Sequence, residues 1–131
     1  VIIVVTGGRK FTDRAAIYGA LDVLHSNYPI TVLRHGAAAG VDSICGQWAI
    51  DNGVTVDAKP ADWKNLNAKG AVIRRNVNGE YNARAGHDRN QSMLDDDPKP
   101  DYGVVFPGGS GTADMFDRMT KAGLTIWEPY K

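Results

Sequence analysis

Val1-Ile2-Ile3-Val4-Val5-Thr6-Gly7-Gly8-Arg9 opens the chain, and Gly103-Val104-Val105-Phe106-Pro107-Gly108-Gly109-Ser110-Gly111-Thr112 follows the same logic near the other end. In each, an apolar, largely β-branched run gives way to glycines. Such a run reads as a strand buried on both faces, as in a parallel sheet. Glycines at its end let the chain turn tightly into a helix, whose first N–H groups carry partial positive charge and suit an anion. Two such turns predict two walls of one crevice, provided that their strands are neighbours.

Between them the pattern alternates. Arg14 to Ser26 reads as a helix capped by Thr12 or Asp13, with Ala16, Ile17, Ala20, Leu21 and Leu24 on one face. Ile30 to Leu33 reads as a strand, Val41 to Asp51 as a helix ended by Asn52-Gly53, and Val54 to Val56 as a third strand. Pro60 to Asp88 interrupts the rhythm with Asn and Gly. There a helix is predicted over Lys69 to Val77, and Asn78-Gly79 is the signal of a hairpin tip. Arg89 to Leu94 reads as a short helix, Tyr102 to Phe106 as a strand, Thr112 to Ala122 as a helix with Met115, Phe116 and Met119 inward, and Leu124 to Trp127 as the last strand. Alternation of this kind implies a parallel sheet covered by helices on both faces, with ligands at the strand C-termini where the strand order reverses.

The bulk numbers set bounds. At 131 residues, one domain is the simplest reading. Lys plus Arg and Asp plus Glu are both 15, which argues against a protein held to nucleic acid by global charge and leaves room for a local basic patch. Cys45 is the lone cysteine and forms no internal disulfide. No apolar run approaches a membrane span, and Val1 to Val5 lacks the flanks of a signal peptide, so no membrane association and a cytoplasmic location are expected.

The candidate site follows from the turns. Gly108, Gly109 and Gly111 permit close approach of backbone to phosphate, with Pro107 leading in and the hydroxyls of Ser110 and Thr112 beside the helix start. Thr6, Gly7 and Gly8 form the facing wall, and Arg9 offers a planar fork to a phosphate. His35 to Asp42 is a third glycine-spaced loop, containing Gly36. Asp42 stands in a first helical turn, where it either complements the helix dipole or accepts from a ribose hydroxyl; the two readings weigh evenly. His35 reads as a packed or solvent-edge histidine ahead of a catalyst. The basic stretch from Lys64 onward reads as solvated, except for Arg89 and Asn90, placed at a helix start facing the crevice. Trp63 is expected to anchor the irregular stretch to the core more than to stack on a base. Asp95-Asp96-Asp97 reads as a solvated turn, because consecutive side chains diverge. Neither a metal nor a cofactor is expected.

These residues resemble the SLOG superfamily, in its YspA-like branch, related to the Lonely-guy phosphoribohydrolases and the DprA core. The likeness rests on Thr6 to Asp13, His35 to Asp42, Ala61-Asp62-Trp63, Gly86 to Leu94 and Pro107 to Met115, in the family's order. It implies a Rossmann-like three-layer α/β/α fold with a mainly parallel five-stranded sheet, a single nucleotide-binding domain over residues 1–131 with an insert at about 65–85, and homo-oligomers. It also implies a nucleotide or nucleotide-derived signalling ligand, sensed or sequestered. In the phosphoribohydrolases the loop continues Pro-Gly-Gly-x-Gly-Thr-x-x-Glu, and that glutamate serves the cleavage of the N-glycosidic bond; here Met115 holds its place. A thioether cannot take a proton or stabilise the positive charge that builds on the ribose. Binding is therefore expected ahead of turnover. The alternatives are a nucleoside 5′-monophosphate phosphoribohydrolase in which Asp42 or Asp114 replaces the glutamate, and single-stranded nucleic-acid binding by the basic stretch.

Overall fold

A computed structural model describes residues 1–131. Along the chain run β1 (Ile2–Thr6), α1 (Arg14–Asn27), β2 (Val32–His35), α2 (Val41–Asp51), β3 (Thr55–Ala58), β4 (Ile73–Asn76), β5 (Gly79–Asn82), α3 (Ala85–Asp95), β6 (Tyr102–Val105), α4 (Ser110–Lys121) and β7 (Thr125–Trp127). Five strands form one parallel sheet in the order β3-β2-β1-β6-β7. The apolar run of β1 explains its central place. Successive side chains leave a strand on opposite faces, and Ile3 and Val5 enter one core cluster while Val4 enters another.

The first cluster lies under α1 and α2 and includes Ile17, Leu21, Leu33, Ile44 and Trp48. The second lies under α3 and α4 and includes Met93, Leu94, Val105, Met115 and Met119. The sheet is thus covered on both sides, in the Rossmann-like three-layer arrangement. The order turns from β2 on one flank of β1 to β6 on the other, which puts the switch point between β1 and β6. There Val5 stands opposite Val104 and Thr6 opposite Val105, so the two glycine turns leave the sheet side by side.

Three expectations are corrected in the middle of the chain. No helix forms over Lys69 to Val77; Ile73–Asn76 is instead a strand paired antiparallel with Gly79–Asn82. All four residues of β4 are exposed, so no buried face exists to write a periodic pattern into the sequence. The hairpin is as expected, but its tip is Val77-Asn78, one residue early, because Asn76 pairs with Gly79. Helix α3 begins at Ala85, so Arg89 and Asn90 stand in its second turn and not at its start.

One buried cation ties the layers. Arg34, on β2, is fully buried; its Nε meets Asp57 Oδ2 at 2.8 Å. Its Nη1 donates to the carbonyls of Met93 and Asp96, and its Nη2 to that of Pro98. The sheet is thereby fastened to the C-terminal end of α3. No helix is long and apolar enough to cross a membrane.

Candidate functional site

The turns after β1 and β6 are in direct contact. Gly8 N–H donates to the Pro107 carbonyl at 2.8 Å, and a Cβ on Gly8 would lie 2.9 Å from Gly108 Cα. The Gly8 amide is therefore committed to the neighbouring turn and is not offered to a ligand. Gly7 is packed against Val41, and Val41 N–H donates to the Gly8 carbonyl at 3.3 Å. The first turn is thus gripped between the start of α2 and the second turn.

Gly40 completes that grip. It has φ +75°, and a Cβ there would fall 2.5 Å from the carbonyl oxygens of Gly8 and Arg9. Gly53 has a similar φ of +68° with nothing within 4 Å. Left-handed backbone alone costs an L-residue about 1–2 kcal/mol. Gly53→Ala is expected to lose about that amount, and Gly40→Ala clearly more, since backbone must also move. Urea denaturation of the two variants checks the order.

The second turn offers donors. Gly109 caps α4 without any side-chain acceptor satisfying the helix start, and its carbonyl takes the Ala113 N–H. The N–H groups of Ser110, Gly111 and Thr112 are consequently left without protein partners, as at any helix start that lacks a capping side chain. Around Gly109 and Gly111 there is nothing within 4 Å of where a Cβ would stand.

A cleft of about 890 Å³ opens over these turns. Thr6, Gly7, Gly8 and Arg9 line one side, and the run from Pro107 through Gly108, Gly109, Ser110 and Gly111 to Thr112 lines the other. Asp42, Arg89 and Asn90 also line it, whereas Gly36 and Asp114 do not. Gly36 lies behind Arg89, whose Nη1 donates to its carbonyl. Arg89 also reaches the Lys59 carbonyl through Nη1 and Asn90 Oδ1 through Nε, leaving Nη2 without a protein partner.

Asp42 is buried, and its Oδ2 accepts from the amides of Gly36 at 3.0 Å and Ala38 at 3.2 Å. Burial pushes its carboxyl above the usual range against the pull of those amides, His35 and Arg89. His35 is buried, accepts the Ala37 N–H on Nδ1, and is shifted down by that burial. Asp42 therefore shapes the third loop whatever else it touches.

Sequence reasoning passed over part of the outer wall. Trp63 covers Gly86, where a Cβ would meet its ring at 2.8 Å, and packs edge-on to Tyr81 at 6.3 Å between centroids. Both rings line the cleft, so Trp63 anchors the hairpin and also walls the site. Lys10, Phe11 and His87 line it too. His87, half-exposed, places Nδ1 2.9 Å from Asp114 Oδ1, while Asp114 Oδ2 accepts from Arg118 and Asn90. Burial opposes the charge on Asp114, yet hydrogen bonds from Arg118, Asn90 and His87 outweigh it and hold its carboxyl at about 2.

Comparison with known families bears on the first half of this site. Residues 1–66 match the model of the YspA, cpYpsA-related SLOG family. The chain belongs to that family. The match takes in Thr6 to Arg9, Gly36 and Asp42 and ends at residue 66. No curated protein and no solved structure matches the chain. In this SLOG protein Met115 is fully buried in the cluster under α3 and α4. Met115 is thus core, with no opening to the cleft.

Proposed function

We propose that the cleft binds a nucleotide or nucleotide-derived signalling molecule, sensing or sequestering it, with phosphate at the start of α4 and the base toward Trp63 and Tyr81. The observation that carries this reading is the set of partnerless N–H groups at Ser110, Gly111 and Thr112, set beside two cationic side chains, Arg9 and Arg89, in one cleft. Backbone donors at a helix start favour an anion, and guanidinium groups add charge and fork geometry. The aromatic pair supplies an apolar surface of the kind that takes a planar base. Membership of the SLOG family is compatible with a nucleotide-related role.

Calorimetric titration with AMP, ADP and adenosine tests it. Both phosphate-bearing compounds are expected to bind, and adenosine at least about 100-fold more weakly, because it forfeits two or more charge-assisted hydrogen bonds. Equal affinity for adenosine and AMP would remove the phosphate from the explanation. Native mass spectrometry of the purified protein should in addition show a retained nucleotide.

A further inference from the structure

We propose that His87, oriented by Asp114, makes this cleft a hydrolase for the terminal phosphoanhydride bond of a nucleoside diphosphate, with His87 as the base that activates water. The proposal rests on the nucleotide reading above and goes beyond it.

Three observations meet. The first is the dyad itself. Asp114 is not part of the cleft lining; it stands behind His87, with its carboxylate on Nδ1 at 2.9 Å. An ionised carboxylate only accepts hydrogen bonds, so Nδ1 carries a proton, and Nε2 is the nitrogen left with the lone pair in the neutral imidazole. Histidine lines the cleft and carboxylate fixes its tautomer and orientation, which is how a positioned base is built.

The second is placement. Asp114 follows Ser110 by four residues on α4, a rise of about 6 Å along a helix. Asn90 Nδ2 ties Asp114 to the first turn of α4, donating to Asp114 Oδ2 at 3.0 Å and to the Gly111 carbonyl at 3.3 Å. The dyad therefore sits about one helical turn from the N–H groups proposed to hold phosphate.

The third is the sign of the surrounding charge. Cleavage of a glycosidic bond builds positive charge on the sugar and calls for a free carboxylate. The lining offers one carboxylate, Asp42, which is buried and already accepts two amide N–H groups. Phosphoryl transfer spreads negative charge over the phosphate oxygens. Arg9, Lys10 and Arg89 line the same cleft and suit that charge.

In the step, a water oxygen bonds to the terminal phosphorus while Nε2 of His87 takes one of its protons. The bond from that phosphorus to the bridging oxygen breaks, and its electron pair stays on the departing nucleoside monophosphate. The proton on His87 then passes to a phosphate oxygen or to solvent. One diphosphate and one water give one monophosphate and one inorganic phosphate, with no change of oxidation state. His87 acts on the reacting water; Asp114 is a positioning residue.

The experiment follows phosphate release from ADP, with and without magnesium ions, beside calorimetric ADP binding on the same preparations. The wild-type chain is expected to release phosphate at a steady rate. His87→Gln keeps a polar side chain at a half-exposed position and is expected to lose at least about 100-fold in kcat with little change in ADP affinity. His87→Ala is expected to regain turnover with added imidazole, which a merely structural histidine would not show. Asp114→Asn should lower kcat more than it raises KM, with thermal melting confirming the fold. Binding of ADP without phosphate release, or undiminished turnover in His87→Gln, overturns the proposal while leaving the nucleotide site standing. Absence of ADP binding overturns both.

Discussion

Gly109→Val is expected to fold normally and to lose at least about 100-fold in ADP affinity. Folding should survive because the site is empty: nothing lies within 4 Å of a Cβ there, and φ is −100°, outside the left-handed region. Valine is a poorer helix cap than glycine, which costs about 1 kcal/mol and a melting shift of a few degrees. Binding should not survive. The added branches occupy the space over the amides of Ser110, Gly111 and Thr112, and each charge-assisted hydrogen bond forfeited is worth about 1.5–3 kcal/mol. Gly108 gives the contrast. A Cβ on Gly108 would fall 2.1 Å from Thr112 Oγ1 and 2.7 Å from the Gly8 amide nitrogen, so substitution there breaks the joint between the turns themselves. A melting curve and a titration of Gly109→Val separate fold from function. Unchanged ADP affinity in the folded variant would show that phosphate does not sit at this helix start.

The same two turns explain what was legible in the sequence. The run Ile2 to Val5 announces a central strand because burial on both faces leaves no polar residue in it. Helix α2 matches its expected span, Val41–Asp51, where an apolar stripe and Asn52-Gly53 mark it from within. Helix α3 is different. It has no side-chain cap, and its N-cap is Arg84 in helical backbone. What fixes its start is Asn82, which is buried and accepts the N–H groups of both Val72 and Arg84 on Oδ1. The Arg84 contact is local, two residues along, but the Val72 contact reaches ten residues back, and no local pattern carries that half of the arrangement. The exposed hairpin is hidden for the complementary reason, since a strand with no buried face has no alternation to read.

The site divides along the same line. Glycines forced by close approach are visible one by one in the sequence, and so are Arg9 and Arg89. The relation between His87 and Asp114 is not visible, because it is made across two helices. Asp114 alone looks like a surface residue next to a missing glutamate. Only the packing of α3 on α4 turns it into the back wall of a histidine. Gly86 held the available clue: a helix that keeps glycine one residue before His87 is making room for a neighbouring ring, here that of Trp63.

Arg34→Met is expected to destabilise the fold by about 3–5 kcal/mol, a large share of the roughly 5–15 kcal/mol that holds a domain of this kind. Methionine fills most of the volume, so the loss is electrostatic and not a cavity. Four hydrogen bonds end on the Arg34 guanidinium: Asp57 on Nε, Met93 and Asp96 on Nη1, and Pro98 on Nη2. Without it, three main-chain carbonyls lose their donor. The Asp57 carboxylate keeps only Lys59, 3.7 Å away. Leaving buried and part-buried acceptors and a charge uncompensated is the costly half of removing such a pair. Arg34→Lys should fall between, since an ammonium restores charge but cannot reproduce the planar fork. Adding Asp57→Asn to Arg34→Met should recover part of the loss by removing the stranded charge. Function should follow stability, because Arg34 anchors the end of α3 whose other end carries His87, Arg89 and Asn90 into the cleft. Guanidinium denaturation of the single and double variants measures the first effect, and ADP titration under native conditions the second. A cost under about 1 kcal/mol for Arg34→Met would mean that water replaces the guanidinium at those carbonyls, and that α3 is held in place by its apolar face alone.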